Sequence, residues 1–328
     1  MFFKISMYVF PFLSQKLYTC CIYCFISKVR KIYRGLNMFN RKKSAENLSP
    51  EKKNKKLKVG IAFGGGGARG FAHLGAIKAF EEYGVQFDYV AGTSAGSIVG
   101  AMYASGMKYS EMLKLAKQID ESDIRTNKIP LMPSKTDGIQ KLVIKALGDI
   151  NIEDLSLPLA VIAVDYKSTK ELIITKGNLA KAVAGSCAVP AIFAPVEFGE
   201  YHLGDGGMRN NIPTDVPKRF GCDYVVGIDV NKHRMYGTDS TKMVDVVACA
   251  IRVMGEGNSL RGYLNCDVMI GPETKRFKAT KTTGMLDMIE EGYKETIDKM
   301  PEILALFGKK PVKAKFKEKY NTDEARVI

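Results

Sequence analysis

The sequence is poor in the side chains from which several common kinds of functional site are built. It has no tryptophan and only three histidines in 328 residues. The four cysteines beyond residue 37 are Cys187, Cys222, Cys249 and Cys266, and they lie too far apart for a paired zinc motif. Because no cluster of His, Asp and Cys has metal-ligand spacing, we expect no metal and no cofactor. The scattered cysteines also indicate a reducing, cytoplasmic compartment.

The sequence also lacks a hydrophobic run long enough to cross a membrane. The first 37 residues are apolar but are interrupted by Lys4, Pro11 and Lys16. The longest uncharged stretch after Lys16, residues 17–27, has 11 residues. A spanning helix needs ~20 apolar residues, and no small-residue cleavage site follows, as a signal peptide would require. Two interpretations stay open for this segment, namely an anchor at a membrane surface or translation that starts at Met38.

The body of the chain has no net positive charge, although the net charge of the whole chain is +14. Residues 1–37 carry +6, residues 38–58 carry another +6 and residues 309–328 carry +4, which leaves −2 for residues 59–308. A basic nucleic-acid face is therefore not expected, and nucleic acid is excluded as a partner. Basic ends of this kind favour peripheral contact with an anionic membrane.

Short apolar runs alternate with segments of helical periodicity from residue 57 onward. The pattern predicts strands at 57–63, 87–91, 158–166, 171–175, 201–203, 224–230 and 267–270. It predicts helices at 68–83, 95–105, 109–119, 138–147, 178–188, 243–254 and 288–306. Strands that are apolar throughout and alternate with helices are typical of a mostly parallel sheet covered on both faces.

The helix predicted at 138–147 follows a loop with two prolines at 127–137. One face of this helix carries Ile139, Leu142, Val143, Ala146 and Leu147. That face would either pack on the sheet, which we favour, or form a cap that admits acyl chains or meets a membrane surface.

A glycine-rich turn, GGGGARG at 64–70, joins the first strand to the first helix. The N–H groups of such a turn, backed by a helix N-terminus, favour an anion. Gly65, Gly67 and Gly70 fit the dinucleotide fingerprint G-x-G-x-x-G. A phosphate-binding P-loop would need Lys-Ser/Thr directly after the last glycine, but Phe71 and Ala72 follow Gly70. The turn is therefore not a P-loop.

The end of the second strand argues against the dinucleotide interpretation. A dinucleotide fold needs an acidic residue there for the ribose, whereas this chain has GTSAG at 92–96. Gly92, Ser94 and Gly96 form G-x-S-x-G, the pattern of a nucleophile elbow. Its place between a strand and a helix makes Ser94 a candidate nucleophile.

A nucleophilic serine needs a base, and the histidines are poorly placed to supply one. His73 falls inside the first predicted helix, where it is expected to be packed or capping, and His233 is expected at the surface. His202 stays open because it lies three residues before Asp205. Asp205 is followed by Gly206 and Gly207, and alone this pattern is a common hairpin turn.

GGGGARG, GTSAG and DGG in this order resemble the signature of the patatin-like phospholipases, especially their bacterial members, over about residues 57–305. The stretches GFAHLGAIKAF and SCAVPAIFAPV resemble the bacterial pattern as well. The resemblance implies a three-layer α/β/α sandwich with a mostly parallel central sheet. It also implies a Ser–Asp dyad in which Ser94 is the nucleophile and Asp205 the general base. An oxyanion hole would be made by Gly65, Gly66 and Gly67, with support from Arg69, Gly70, Gly92, Gly96, Gly206 and Gly207.

The resemblance therefore implies an enzyme, a serine acyl hydrolase of the phospholipase A or lysophospholipase type acting on a lipid ester. Two alternatives remain, an acyltransferase with the same dyad and a non-catalytic membrane-associated regulator with a vestigial site. We expect a basic N-terminal extension at 1–56, a catalytic core at 57–220, a C-terminal part of the same domain at 221–308 and a basic tail at 309–328. The oligomeric state stays open.

Overall fold

The computed structural model describes residues 57–119, 133–232 and 241–308. Within these ranges eight strands form one sheet. The strands are β1 (Val59–Phe63), β2 (Tyr89–Thr93), β3 (Leu159–Asp165), β4 (Glu171–Ile174), β5 (Val196–Phe198), β6 (Tyr201–Asp205), β7 (Tyr224–Ile228) and β8 (Val268–Ile270). The expectations for residues 1–56, the loop residues 127–132, His233 and residues 309–328 lie outside the described residues.

Eight α-helices accompany the sheet in the described ranges. They are α1 (Phe71–Glu82), α2 (Ala95–Ala104), α3 (Tyr109–Ala116), α4 (Asp137–Leu147), α5 (Leu179–Ser186), α6 (Asp215–Arg219), α7 (Met243–Asn265) and α8 (Met285–Leu306). Two short 3₁₀ turns, Gly67–Gly70 and Gly206–Met208, lie where the first and third motifs were found.

Five strands of the sheet are parallel and lie side by side in the order β3, β2, β1, β7, β8. The other three are antiparallel additions, since β4 and β6 both pair with β3, and β5 pairs with β6. The parallel strands are almost wholly buried, as expected when helices cover both faces. The predicted mostly parallel sheet is confirmed.

The register of β3 explains how two distant parts of the sequence meet. Val161 and Ile162 pair with both β2 and β4, so β2 and β4 occupy opposite edges of β3. Ala163 pairs with both β4 and β6, so β6 shares the β2 edge. Thr93 at the end of β2 lies opposite Ile162, and Asp205 at the end of β6 lies opposite Ala163. The last residues of β2 and β6 therefore face each other end to end.

Alternate residues of the central strands belong to different hydrophobic clusters, which shows that the sheet is the middle of three layers. Val161 and Ala163 lie in the larger cluster, which includes core residues of α1, α2, α5 and α8. Ala160 and Ile162 point the other way and pack with Val216 of α6. Because successive side chains of a strand point to opposite faces, both faces are covered, as in the predicted sandwich.

Helix α4 uses its apolar face for packing. Ile139 and Val143 are 4% and 1% exposed and belong to the larger hydrophobic cluster. Leu142, Ala146 and Leu147 are partly buried against the same cluster. The face is therefore packed, as the favoured interpretation had it, but mainly against helices α5 and α2 and not directly on the sheet.

Three elements differ from the sequence expectation, and the first is helix α6, whose five residues were not predicted. Strand β5 was not predicted, because its three residues are too short a run to show a period. Helix α7 continues to Asn265, beyond the predicted 243–254, although its second half contains Gly255, Gly257 and Gly262. Glycine lowers helix propensity, so the pattern ended early. Among the described residues, no helix has both the length and the apolarity that crossing a bilayer demands.

Candidate active site

Ser94 occupies a strained turn between β2 and α2. Its backbone has φ 50° and ψ −127°, a left-handed conformation that is rare for a residue with a side chain. The backbone N–H of Ser94 donates to Ser186 Oγ at 2.8 Å, and Ser186 Oγ donates to Ile162 O at 2.5 Å. The carbonyl group of Ser94 is also held, because Ser97 Oγ donates to Ser94 O at 2.7 Å. These hydrogen bonds hold a conformation that Ser94 would not adopt by itself.

The glycines on either side of Ser94 are required by close backbone contacts. A Cβ on Gly96 would lie 2.1 Å from Phe63 O, and a Cβ on Gly92 would lie 2.5 Å from Gly96 O. Neither distance leaves room for a carbon atom, so the G-x-S-x-G spacing is a packing requirement here. The turn thus lies directly against the end of β1.

Asp205 lies beside Ser94, as the shared edge of β3 requires. Ser94 lies close enough to Asp205 for its side chain to lower the pKa of the carboxyl group, and the Gly207 N–H donates to Asp205 Oδ1 at 2.7 Å. Asp205 is only 7% exposed. Burial raises the pKa of Asp205 to about 6, against the opposing effect of the hydrogen bonds from Gly207 and Ser94. At neutral pH the carboxylate is ionised but is a stronger base than an ordinary aspartate.

The glycine loop passes next to Ser94, since a Cβ on Gly65 would lie 3.1 Å from Ser94 Cβ. The Gly65 N–H donates to Asn211 O at 3.0 Å and is therefore occupied. Gly66 and Gly67 have no acceptor for their N–H groups among the residues that the structure describes. Of the three N–H groups expected to form an oxyanion hole, only those of Gly66 and Gly67 are left available by the described residues in this conformation to bind an oxyanion.

Two asparagines and Arg69 hold the glycine loop in place. The Gly65 carbonyl accepts from Asn231 Nδ2 at 2.6 Å and from Asn211 Nδ2 at 3.3 Å. Arg69, which is 7% exposed, donates through Nη1 to Asn231 Oδ1 at 3.0 Å and through Nε to Phe277 O at 2.9 Å. Arg69 thus orients the amide that fixes Gly65, which gives it a positioning role.

The remaining motif glycines lie at tight crossings around the same centre. A Cβ on Gly70 would lie 2.8 Å from Ala95 Cβ, so the loop packs on the first turn of α2. A Cβ on Gly206 would lie 2.2 Å from Ile162 O, so the turn after Asp205 packs on β3.

The two described histidines stand apart from the Ser94–Asp205 pair. His73 is fully buried, lies 2.8 Å through Nε2 from Gly64 O, and stacks edge-on against Phe63. Burial lowers the pKa of His73 to about 4, so the ring is neutral at pH 7 and donates from Nε2. No hydrogen bond in the described part of the chain joins the ring of His202 to Ser94 or Asp205.

Four residues of this site were not singled out from the sequence. Ser186, Asn211 and Asn231 act through the hydrogen bonds given above, and Cys187 places a buried thiol beside Ser94, Ser97 and Asp205. Burial, assisted by the charge of Asp205, raises the pKa of Cys187 well above its usual range. Ser186 and Cys187 open the SCAVPAIFAPV stretch, which was the one signal available for them.

A serine in a left-handed turn at the end of a parallel strand, with a buried aspartate at its hydroxyl, is the kind of site found in α/β acyl hydrolases. Residues 61–218 match the family model described as patatin-like phospholipase. All three motifs lie inside this stretch, so the match to the patatin-like phospholipase model covers the whole candidate site.

Curated relatives match about half of the chain, and one solved structure shares its fold. The chain is 32% identical over 183 residues to neuropathy target esterase sws of Drosophila melanogaster, a match that covers 52% of this chain and 13% of the relative. It is 33% identical over 183 residues to lysophospholipase NTE1 of Eremothecium gossypii, covering 52% and 12%. The crystal structure of VipD from Legionella pneumophila shares the fold, with a TM-score of 0.50, 17% identity, and coverage of 77% of this chain and 67% of VipD.

The matched stretch is a limited part of the curated relatives. The matches cover less than half of the length of the first relatives found, from 12% to 49%.

Proposed function

We propose that the chain is a serine acyl hydrolase that cleaves carboxylic esters of lipids, of the phospholipase A or lysophospholipase type. The observation that carries this proposal is the placement of the buried Asp205 beside Ser94, which occupies a strained turn at the end of β2. A lipid substrate is favoured by the match of residues 61–218 to the patatin-like phospholipase model, and one relative is named a lysophospholipase.

In the first step Ser94 Oγ attacks the ester carbonyl, and Asp205 accepts the hydroxyl proton. A carboxylate with a pKa near 6 takes this proton more readily than one near 4, because the proton-transfer driving force is larger. Asp205 then gives the proton to the departing alcohol, which leaves an acyl group on Ser94. Water, deprotonated by Asp205, attacks that acyl-enzyme and releases the fatty acid, while Asp205 returns the proton to Ser94 Oγ.

The tetrahedral intermediate of each half-reaction carries a negative oxygen that needs donors. The N–H groups of Gly66 and Gly67 are proposed for this role, because neither has another acceptor among the described residues. One such donor is worth roughly 3–4 kcal/mol of transition-state stabilisation in enzymes where it has been removed. Arg69 and Asn231 would support these donors by fixing the Gly65 peptide.

The first experiment labels the purified chain with a fluorophosphonate probe and follows hydrolysis of p-nitrophenyl butyrate. We expect Ser94→Ala to abolish labelling and turnover, and Asp205→Ala to abolish turnover. The matched control His202→Ala should retain most activity, because no hydrogen bond among the described residues joins its ring to either residue of the pair. Full turnover in Asp205→Ala would refute the dyad, and an unlabelled wild-type protein would indicate a vestigial site.

We further propose peripheral contact with an anionic membrane through the basic ends of the chain. The support is the concentration of positive charge outside residues 59–308. A polybasic segment contributes about 1 kcal/mol per Lys or Arg near such a surface. Vesicle binding that weakens with salt and on deletion of residues 1–56 would support this, and binding indifferent to both would refute it.

A further inference from the structure

Helix α7 carries a row of large apolar side chains that the described part of the chain leaves uncovered. Their exposed fractions run from 46% to 72%. We call this row the α7 stripe; it consists of Met243, Val246, Val253, Leu260 and Leu264.

The α7 stripe lies on one side of the helix. At about 100° per residue, its five members fall within an arc of about 100°, and they extend over about 32 Å along the axis. Gly255 and Gly262 fall on the opposite side of the same helical wheel. That side is the packed one, because a Cβ on Gly262 would lie 2.7 Å from Ile212 O. The stripe thus points away from the body of the protein.

This arrangement differs from ordinary surface exposure of apolar residues. The other exposed large apolar residues are scattered over separate elements, for example Leu57, Ile144 and Phe220. Single exposed residues of this kind are normal, whereas a contiguous apolar surface marks a contact with a protein or a membrane.

Helix α7 lies directly against the turn that follows Asp205. Asn258 Nδ2 donates to Met208 O at 2.6 Å, and a Cβ on Gly255 would lie 3.6 Å from Gly207 O. The helix that carries the stripe therefore borders the candidate active site, with the stripe on its outer side and the turn after Asp205 on its packed side.

Cationic side chains border the stripe on the side that leads to this turn. Lys170, Arg209 and Arg261 line a cleft of about 460 Å³ together with Gly257 and Asn258 of α7. Arg261 is ion-paired with Glu171 and Asp215. Lys170 and Arg209 are exposed, and neither forms an ion pair within the described ranges. An apolar row bordered by exposed cations matches a bilayer surface, with acyl chains below and anionic phosphates at its rim.

We propose that the α7 stripe is the surface by which this protein docks on an anionic phospholipid bilayer, with α7 lying in the plane of the interface. The inference rests on the proposed function, because docking here would bring the Ser94 site to lipid esters held in the membrane. It is separate from the basic ends, which would supply long-range attraction but no fixed orientation.

The test measures co-sedimentation of the full chain with vesicles of equimolar phosphatidylcholine and phosphatidylglycerol. The double variant Val253→Glu/Leu260→Glu replaces two apolar contacts by charges of the same sign as the lipid. We expect its vesicle affinity to fall roughly ten-fold or more. The matched control is Ile144→Glu, at a residue of α4 whose exposed fraction is 41%. This variant should bind vesicles as the wild type does.

Turnover of soluble p-nitrophenyl butyrate separates the two proposals. Neither substituted position contacts the Ser94–Asp205 pair, so the double variant should keep its rate within about two-fold, since distant surface changes seldom alter a site. An inactive wild type would count against the proposed hydrolase while vesicle binding still decides the docking surface. Should the glutamate variant unfold, Val253→Ser/Leu260→Ser gives the same readout with a smaller expected fall, roughly three-fold or more.

Two results would overturn the docking proposal. One is unchanged vesicle affinity in a folded double variant. The other is a wild-type chain that is dimeric by light scattering while the double variant is monomeric, since a second copy would then cover the stripe.

Discussion

Replacing Asp205 by asparagine is expected to remove activity and to make the protein more stable at alkaline pH. The carboxylate of aspartate and the side-chain amide of asparagine have nearly the same shape, so the substitution removes mainly a buried charge. The asparagine oxygen can still accept the Gly207 N–H that now bonds Oδ1 at 2.7 Å. What it cannot do is accept a proton from Ser94.

The magnitude follows from the pKa of Asp205, which is 3.8 in the unfolded reference and about 6 in the folded chain. Because the folded value is the higher one, protonation favours folding. The contribution of this group to stability is therefore fully present below about pH 4 and is lost as the pH rises through 6. At pH 8 the ionised carboxylate costs about 3 kcal/mol of folding free energy.

The assay compares urea unfolding of wild type and Asp205→Asn at pH 8 and pH 5. We expect the variant to be more stable by about 3 kcal/mol at pH 8 and by about half of that at pH 5. Its kcat for p-nitrophenyl butyrate should fall by ~10²–10⁴-fold, the usual worth of a general base. In the wild type, kcat/KM should rise roughly ten-fold per pH unit below 6 and level off above it.

Asp165, at the end of β3, provides a control because its pKa is shifted in the opposite direction from that of Asp205. The Ser168 hydroxyl, followed by backbone N–H groups of His202, Ser168 and Lys167, holds the pKa of Asp165 well below its usual range. Asp165→Asn should therefore lose stability at pH 8 where Asp205→Asn gains it. A destabilised Asp205→Asn at pH 8, or a gain that is larger at pH 5, would refute the assignment of Asp205 as a desolvated base.

Three further predictions concern the framework around Ser94. Gly96→Ala would place a Cβ atom 2.1 Å from a backbone oxygen of β1. We therefore expect this variant to lose its fold or its activity, as measured by circular dichroism and by fluorophosphonate labelling. The control Gly257→Ala should be tolerated, because nothing lies within 4 Å of its added Cβ. Ser186→Ala leaves the Ser94 N–H without its acceptor, which should cost about 1–3 kcal/mol in urea unfolding and slow fluorophosphonate labelling. Iodoacetamide on the native protein should modify the half-buried Cys249 before Cys187, because burial raises the pKa of Cys187; equal rates by peptide mass spectrometry would contradict this.

The catalytic candidates could be found from the sequence because their signals are local. A glycine on each side of Ser94, and a glycine pair after Asp205, are recognisable without knowledge of any partner. The contacts that hold them are not local. Asn231 reaches Gly65 across 166 positions of the chain and Asn211 across 146. A side-chain amide bound to a distant carbonyl leaves no periodic or turn signal in the sequence.

The oxyanion donors show the same limit at the scale of one hydrogen bond. The glycine run predicts that N–H groups turn inward, but it does not predict which of them another segment has already taken. Only the packing of the Asn211 segment on the loop shows that Gly65 donates to Asn211 O. The exposed side of α7 was likewise hidden, because an apolar row looks the same in a sequence whether it is packed or bare.

The sequence by itself determined the alternation of strands and helices, the two turns that bear Ser94 and the glycine loop, and the neutral body between basic ends. Each of these depends on residues that are near one another in the chain. Only the tertiary structure decided that Asp205 meets Ser94. That meeting requires β6 to take the edge of β3 where β2 ends, placing Asp205 opposite Ala163, one position along from the partner of Thr93. Strand register of this kind is set by the packing of the whole sheet, so no stretch of sequence encodes it alone.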